Sequence, residues 1–133
     1  MTMQMSRLPL VGLLAIVVIA VTGCGREPEA TSITAAALTE RLGSADAPVI
    51  LDVRTPGEYS SGHVPGAINV PHDQVADRVE EFAAFQNADV VVYCQSGKRA
   101  SMAEADLKAA GFSRVLDLQG HIQDWKEQGL PLE

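Results

Sequence analysis

Val90-Val91-Val92-Tyr93 is an unbroken apolar run, and it limits the fold more than any other segment of the chain. A short β-branched and aromatic run with no polar alternation reads as a strand buried on both faces. It ends at Cys94, the loop Gln95-Ser96-Gly97-Lys98-Arg99 follows, and a helical pattern then runs from Ala100 to Ala110 and stops at Gly111. The rest of the chain repeats this strand-then-helix order. Ala35 to Leu42 reads as a helix capped by Thr34, and Val49 to Val53 as a buried strand. Thr55-Pro56-Gly57-Glu58 carries a capping-box pattern, with Thr at the cap, Pro at the first helical position and Glu at the third. Ala67 to Val70 predicts a short strand. Gln74 to Phe85 predicts a helix with Val75, Val79, Phe82 and Ala83 as its apolar stripe. Val115 to Leu118 is a further strand, and Gln123 to Gln128 a last helix whose Trp125 is a core residue. Strands alternating with helices predict an α/β fold with a parallel sheet covered by helices on both faces.

That arrangement puts Cys94 where chemistry is usually found, since ligands of parallel sheets bind outside the carboxyl ends of the strands. The cysteine faces the start of the next helix, with Lys98 and Arg99 beside it. Loop amides, the helix dipole and the two cations all favour an anion there. A cysteine at a strand end is commonly an inert small hydrophobe. Gln-Ser-Gly-Lys-Arg is unsuited to a core and suited to cradling an anion, so Cys94 reads as a functional thiol.

The first segment is set apart from the fold. Met1 to Arg7 carries one cation and no acid, and Leu8 to Val21 is apolar apart from Pro9 and Gly12. This stretch is shorter than the roughly 20 residues of a spanning helix and within the ~7–15 of a secretory h-region. Val21-Thr22-Gly23-Cys24 resembles the lipobox of bacterial lipoproteins, which implies cleavage after residue 23 and lipidation of Cys24. Gly25 stands where Asp would be the usual inner-membrane retention signal, so the resemblance favours outer-membrane sorting if the host has two membranes. The expected organisation is a signal peptide over 1–23, a lipidated cysteine and polar tether over 24–31, and a folded domain over 32–133. The mature chain keeps about 110 residues, enough to bury a core. It is acidic, since the whole chain carries a formal charge of −7 and cleavage removes Arg7. No basic stripe appears, which argues against a nucleic-acid partner. With Cys24 acylated, Cys94 is the only free thiol and no intramolecular disulfide can form. His63, His72 and His121 are dispersed, so no metal site is expected.

Two long segments and the tail point to one family. Leu51-Asp52-Val53-Arg54-Thr55-Pro56-Gly57-Glu58-Tyr59, continuing through Gly62-His63-Val64-Pro65-Gly66-Ala67-Ile68-Asn69-Val70-Pro71, closely resembles the N-terminal signature of the rhodanese family. Val92-Tyr93-Cys94-Gln95-Ser96-Gly97-Lys98-Arg99-Ala100 resembles that family's active-site loop. The tail from Leu118 through Trp125, Gly129 and Pro131 is similar to its Leu-x-Gly-Gly…Trp…Gly-x-Pro ending. The departure is placed at Gln119-Gly120, where many members carry Gly-Gly, and at His121, where a small or apolar residue is usual. His121 is read as a solvent-exposed turn histidine. The resemblance implies a three-layer fold with a mostly parallel sheet of about five strands.

The resemblance also implies a sulfurtransferase with no bound cofactor. Such enzymes take sulfane sulfur from a donor such as thiosulfate, hold it as a cysteine persulfide and pass it to a thiophilic acceptor: cyanide, a thiol or a protein. Cys94 is the expected carrier. The amides of Gln95, Ser96, Gly97, Lys98 and Arg99 are expected to surround the anionic sulfur, with Lys98 and Arg99 attracting the donor and stabilising departing sulfite. Asp52, Arg54, Glu58 and His63 are read as a polar network bracing the loop, with Arg54 paired to Glu58 or Asp52 and His63 tying down the turn before Val64. The chain is expected to act as a monomer held to a membrane through Cys24. Two other readings come from different classes. One is a non-catalytic binding or sulfur-carrier module. The other is a cysteine phosphatase, which needs an arginine six positions after the cysteine. Arg99 stands five positions after Cys94, and Ala100 occupies the sixth.

Overall fold

The computed structural model describes residues 31–133; the expected signal segment and Cys24 lie outside them. In chain order the elements are β1 (Ser32–Ile33), α1 (Ala35–Arg41), β2 (Val49–Asp52), α2 (Pro56–Ser60), β3 (Ile68–Asn69), α3 (Val75–Arg78), β4 (Val90–Tyr93), α4 (Lys98–Ala109), β5 (Val115–Leu118) and α5 (His121–Glu127). The strands form one sheet in the order β1-β5-β4-β2-β3, and every pairing is parallel. Val49–Asp52 pairs in register with Val90–Tyr93, so β4 is central, as its unbroken apolar run requires.

Successive strand residues point to opposite faces, and the two cores follow that period. Val90 and Val92 join Leu51, Val75, Phe82, Ala103 and Leu107 on the side of α3 and α4. Val91 and Tyr93 join Ile50, Leu38, Leu116, Ile122 and Trp125 on the side of α1 and α5. Trp125 is fully buried, and its indole N–H donates to the Pro131 carbonyl at 2.8 Å.

Both expected helix starts are present. Thr34 accepts from the Ala37 N–H at 3.1 Å. Thr55 and Glu58 form the reciprocal capping box, with Pro56 opening α2. The expected helix over Gln74–Phe85 is a correction: only Val75–Arg78 is α-helical, with 3₁₀ turns at His72–Gln74 and Val79–Phe85. Tighter 3₁₀ winding shifts the stripe, so Val75 and Phe82 are buried while Ala83 faces solvent. β1 was not expected at all. It is held by register, Ser32 opposite Asp117 and Ile33 opposite Leu118, and the Thr31 carbonyl already accepts the Asp117 N–H at 3.0 Å. The last helix begins at His121 rather than Gln123.

Candidate active site

Cys94 directly follows β4 and is almost completely buried. Its loop curls back on it: the Gly97 N–H donates to Cys94 Sγ at 3.0 Å. Gly97 adopts φ +128 and caps α4, a backbone region open mainly to glycine. A Cβ at this position would also meet His121 Nε2 at 2.9 Å. The loop is therefore closed from inside by the His121 ring. Gln95, Ser96 and Lys98 present exposed side chains, while Ala100 anchors the start of α4 in the core.

The start of α5 grips the other face of Cys94. The Ile122 N–H donates to the Cys94 carbonyl at 3.2 Å, and the Cys94 N–H donates to His121 Nδ1 at 3.3 Å. His121 is thus buried, at 7% exposure, and not an exposed turn residue. It has φ +52, the only positive value at a described non-glycine residue. That conformation also corrects the alignment of the tail. With Leu118 and Trp125 as anchors, the glycine pair of the Leu-x-Gly-Gly ending falls on Gly120 and His121, not on Gln119 and Gly120. Gly120 keeps its glycine with reason: it has φ +75, and a Cβ there would collide with the Asp124 carboxylate. Gln119 instead donates to the Ser32 hydroxyl at 2.9 Å, fastening β5 to β1.

On one flank the polar residues are fully satisfied. The buried Asp52 carboxylate accepts the Arg54 backbone N–H at 3.0 Å, Arg54 Nε at 3.0 Å and Arg54 Nη2 at 2.6 Å. It also accepts the Tyr93 hydroxyl at 2.7 Å, and that hydroxyl accepts the Val64 N–H at 3.0 Å. Burial and the Asp52 charge push the Tyr93 phenol well above its usual range, so it stays a donor. Arg54 Nη2 reaches on to the Gly62 carbonyl at 2.9 Å. Arg54 thus pairs with Asp52, and Glu58 is left for a different cation.

That cation is Arg99, which donates to Glu58 through Nη1 at 2.7 Å and Nη2 at 2.9 Å. The pair holds the Glu58 carboxyl down at about 2, chiefly through the Arg99 hydrogen bonds, helped by the Thr55 N–H of the capping box. Arg99 is held more firmly protonated by Glu58 first, with Cys94 and Asp52 adding attraction. It is an arginine of the first turn of α4, clamped in place rather than a free anion hook. His63 lies away from Cys94. Its ring stacks on Tyr59 at 3.7 Å, its Nδ1 meets the Tyr59 carbonyl at 3.0 Å, and its backbone exchanges two hydrogen bonds with Glu133.

The opposite flank carries residues that the sequence reading passed over. Asp117 on β5 lies 3.5 Å from His121 Nε2, and Glu104 on α4 lines the same cavity as both. The signal was available. Glu104 falls within the apolar stripe of Ala100, Ala103 and Leu107, and Asp117 interrupts Val115-Leu116-Asp117-Leu118. Among the described residues, no group of three or more His, Cys, Asp or Glu side chains is arranged to hold a metal ion.

Comparison with known proteins agrees with this architecture. A model of the rhodanese-like domain family matches residues 34–128. A sulfurtransferase of Allochromatium vinosum is 38% identical over 95 residues, covering 71% of this chain and 87% of that protein. The chloroplastic thiosulfate sulfurtransferase 16 of Arabidopsis thaliana is 42% identical over 91 residues, covering 61% and 76%. The solved structure of a human single-domain sulfurtransferase superposes with a TM-score of 0.66 and 27% identity, over 74% of this chain and 97% of that one.

Proposed function

The chain belongs to the rhodanese-like family, and we propose that it is a sulfurtransferase carrying sulfur as a persulfide on Cys94. The observation that supports this most is the Gly97 N–H aimed at Cys94 Sγ at 3.0 Å, from the residue that caps α4. The Cys94 thiolate attacks the sulfane sulfur of thiosulfate. A new S–S bond forms, the donor's S–S bond breaks, and its electron pair leaves with sulfite. The outer persulfide sulfur then carries the negative charge, near the loop amides. A thiophilic acceptor (cyanide, a small thiol or a protein thiolate) takes that sulfur and returns Cys94 to the thiolate. The family's chemistry is carried by the cysteine itself and uses no metal.

The loop is too short for the phosphatase alternative, and the Arg99 guanidinium is taken by Glu58. Formation of thiocyanate from thiosulfate and cyanide tests the proposal. The wild type should turn over, Cys94→Ser should not, and p-nitrophenyl phosphate should remain intact with both. Absence of turnover with any sulfane donor would leave a binding module instead.

The site of action is the cell envelope in this reading, with Cys24 lipidated and residues 25–31 as a short tether. Val21-Thr22-Gly23-Cys24 supports it. Membrane partitioning of the full chain that is lost in Cys24→Ala is the expected result. Unchanged partitioning would contradict the anchor.

A further inference from the structure

A half-buried carboxyl pair stands behind the Cys94 loop. Glu104 and Asp117 line the same cavity beside the loop, and burial together with the neighbouring Asp117 favours the protonated form of Glu104. Glu104 Oε1 is buried and has no hydrogen-bond partner. Asp117 Oδ1 faces His121 Nε2 at 3.5 Å, and His121 Nδ1 accepts the Cys94 N–H at 3.3 Å. A ring whose Nδ1 accepts has its proton on Nε2, directed at Asp117. The path from Glu104 to the reacting cysteine therefore runs through one ring, and the same Nε2 underlies Gly97. The pair opens on a cavity of about 470 Å³ whose lining includes Gly97, Ser101, Glu104, Lys108, Asp117 and His121.

We propose that Glu104 and Asp117, acting through the positioning residue His121, set the charge beneath the Cys94 loop and so determine how readily an anionic reagent, as opposed to a neutral one, reaches the thiolate. With Glu104 protonated the pair carries a single negative charge; with Glu104 ionised, two. Burial first, and Asp117 second, raise the Glu104 carboxyl to about 7, so the change falls near neutral pH. The groups facing Glu104 are Asp117 from β5, His121 from α5 and Lys108 from its own helix, while β1 offers the uncharged Ser32. Lys108 counters the carboxyl charge and acts against the upward shift. The consequence for sulfur transfer rests on the sulfurtransferase reading; the geometry does not. Thiosulfate, a dianion, should load less readily as the second charge develops, whereas a neutral polysulfide or disulfide donor should not be penalised.

Alkylation of Cys94 by iodoacetate and by iodoacetamide, across neutral pH, isolates the effect. Both reagents need the thiolate, so their rate ratio cancels the thiolate fraction and reports the local field. In the wild type the iodoacetate-to-iodoacetamide ratio should fall about threefold as pH rises through 7, a size expected for one added charge roughly 10 Å away in a partly solvated site. In Glu104→Gln the ratio should stay flat at the wild type's low-pH level. Asp117→Asn is the second variant should the first fail to fold; it removes the second cause of the Glu104 shift, so the fall of the ratio should move to lower pH. Parallel wild-type and variant profiles would overturn the proposal. Thiosulfate loading measured on the same samples keeps the two readings apart. A pH-dependent ratio without any loading sinks the sulfurtransferase, and loading with parallel ratios sinks the carboxyl pair.

Discussion

Cys94 is flanked by two polar clusters built from the same residue types, and they have opposite character. At the end of β2, Asp52, Arg54 and Tyr93 are buried and every charge meets a donor or acceptor within 3.1 Å. Behind β5, Glu104, Asp117 and His121 line one cavity with a single long contact among them, and one carboxyl oxygen has no partner. A satisfied buried network holds a single arrangement, and removing one member leaves an uncompensated charge. An under-satisfied one can change its protonation without unfolding anything. The first cluster ties down Tyr93, the residue before Cys94, through Asp52 and Val64. The second leaves the charge under the loop adjustable.

The largest expected consequence is on stability. Asp52→Ala strands the buried Arg54 guanidinium and should lower the urea unfolding free energy by about 3–5 kcal/mol. A loss under about 1 kcal/mol would erase the contrast between the clusters. Glu104→Gln should act the other way and more weakly. A carboxyl raised from 4.5 to about 7 adds stability at low pH that is lost as pH rises between those values. The variant should therefore lose that slope and gain about 1 kcal/mol near pH 8, a figure reduced for partial solvation. An unchanged slope would place Glu104 in the satisfied class.

His121→Gly separates position from chemistry. Glycine tolerates φ +52, which favours the variant, but the Cys94 N–H loses its acceptor. The two effects should nearly cancel, within about 1 kcal/mol. The iodoacetate ratio at Cys94 should then lose its pH dependence. The smallest effect belongs to Glu58. Its carboxyl is lowered to about 2 by Arg99, so its contribution is present above about pH 4.5 and lost as pH falls towards 2. The pair is about a third exposed, so Glu58→Gln should cost less than about 1 kcal/mol at pH 7, and nothing at pH 2. Acid titration of unfolding in both proteins checks this.

What could be read in the sequence followed local physics. The unbroken Val90–Tyr93 run, the Thr55–Glu58 box and the strand–loop–helix around Cys94 are each encoded within a few residues, and each is present. What could not be read depends on partners far along the chain. β1 is two residues long and exists only because β5 offers an edge. Glu58 meets Arg99 across 41 positions, which no local pattern announces. His121 looked like a turn residue because a polar side chain beside glycine usually faces water. It is buried because Gly97 leaves space for its ring and the Cys94 N–H needs an acceptor.

The central claim is that Cys94 carries sulfur, and intact-mass analysis of residues 25–133 after incubation with thiosulfate tests it most directly. The account predicts a gain of one sulfur atom on the wild type, removed by cyanide and absent in Cys94→Ser. A wild-type mass unchanged after thiosulfate and other sulfane donors, or an equal gain in Cys94→Ser, would contradict it.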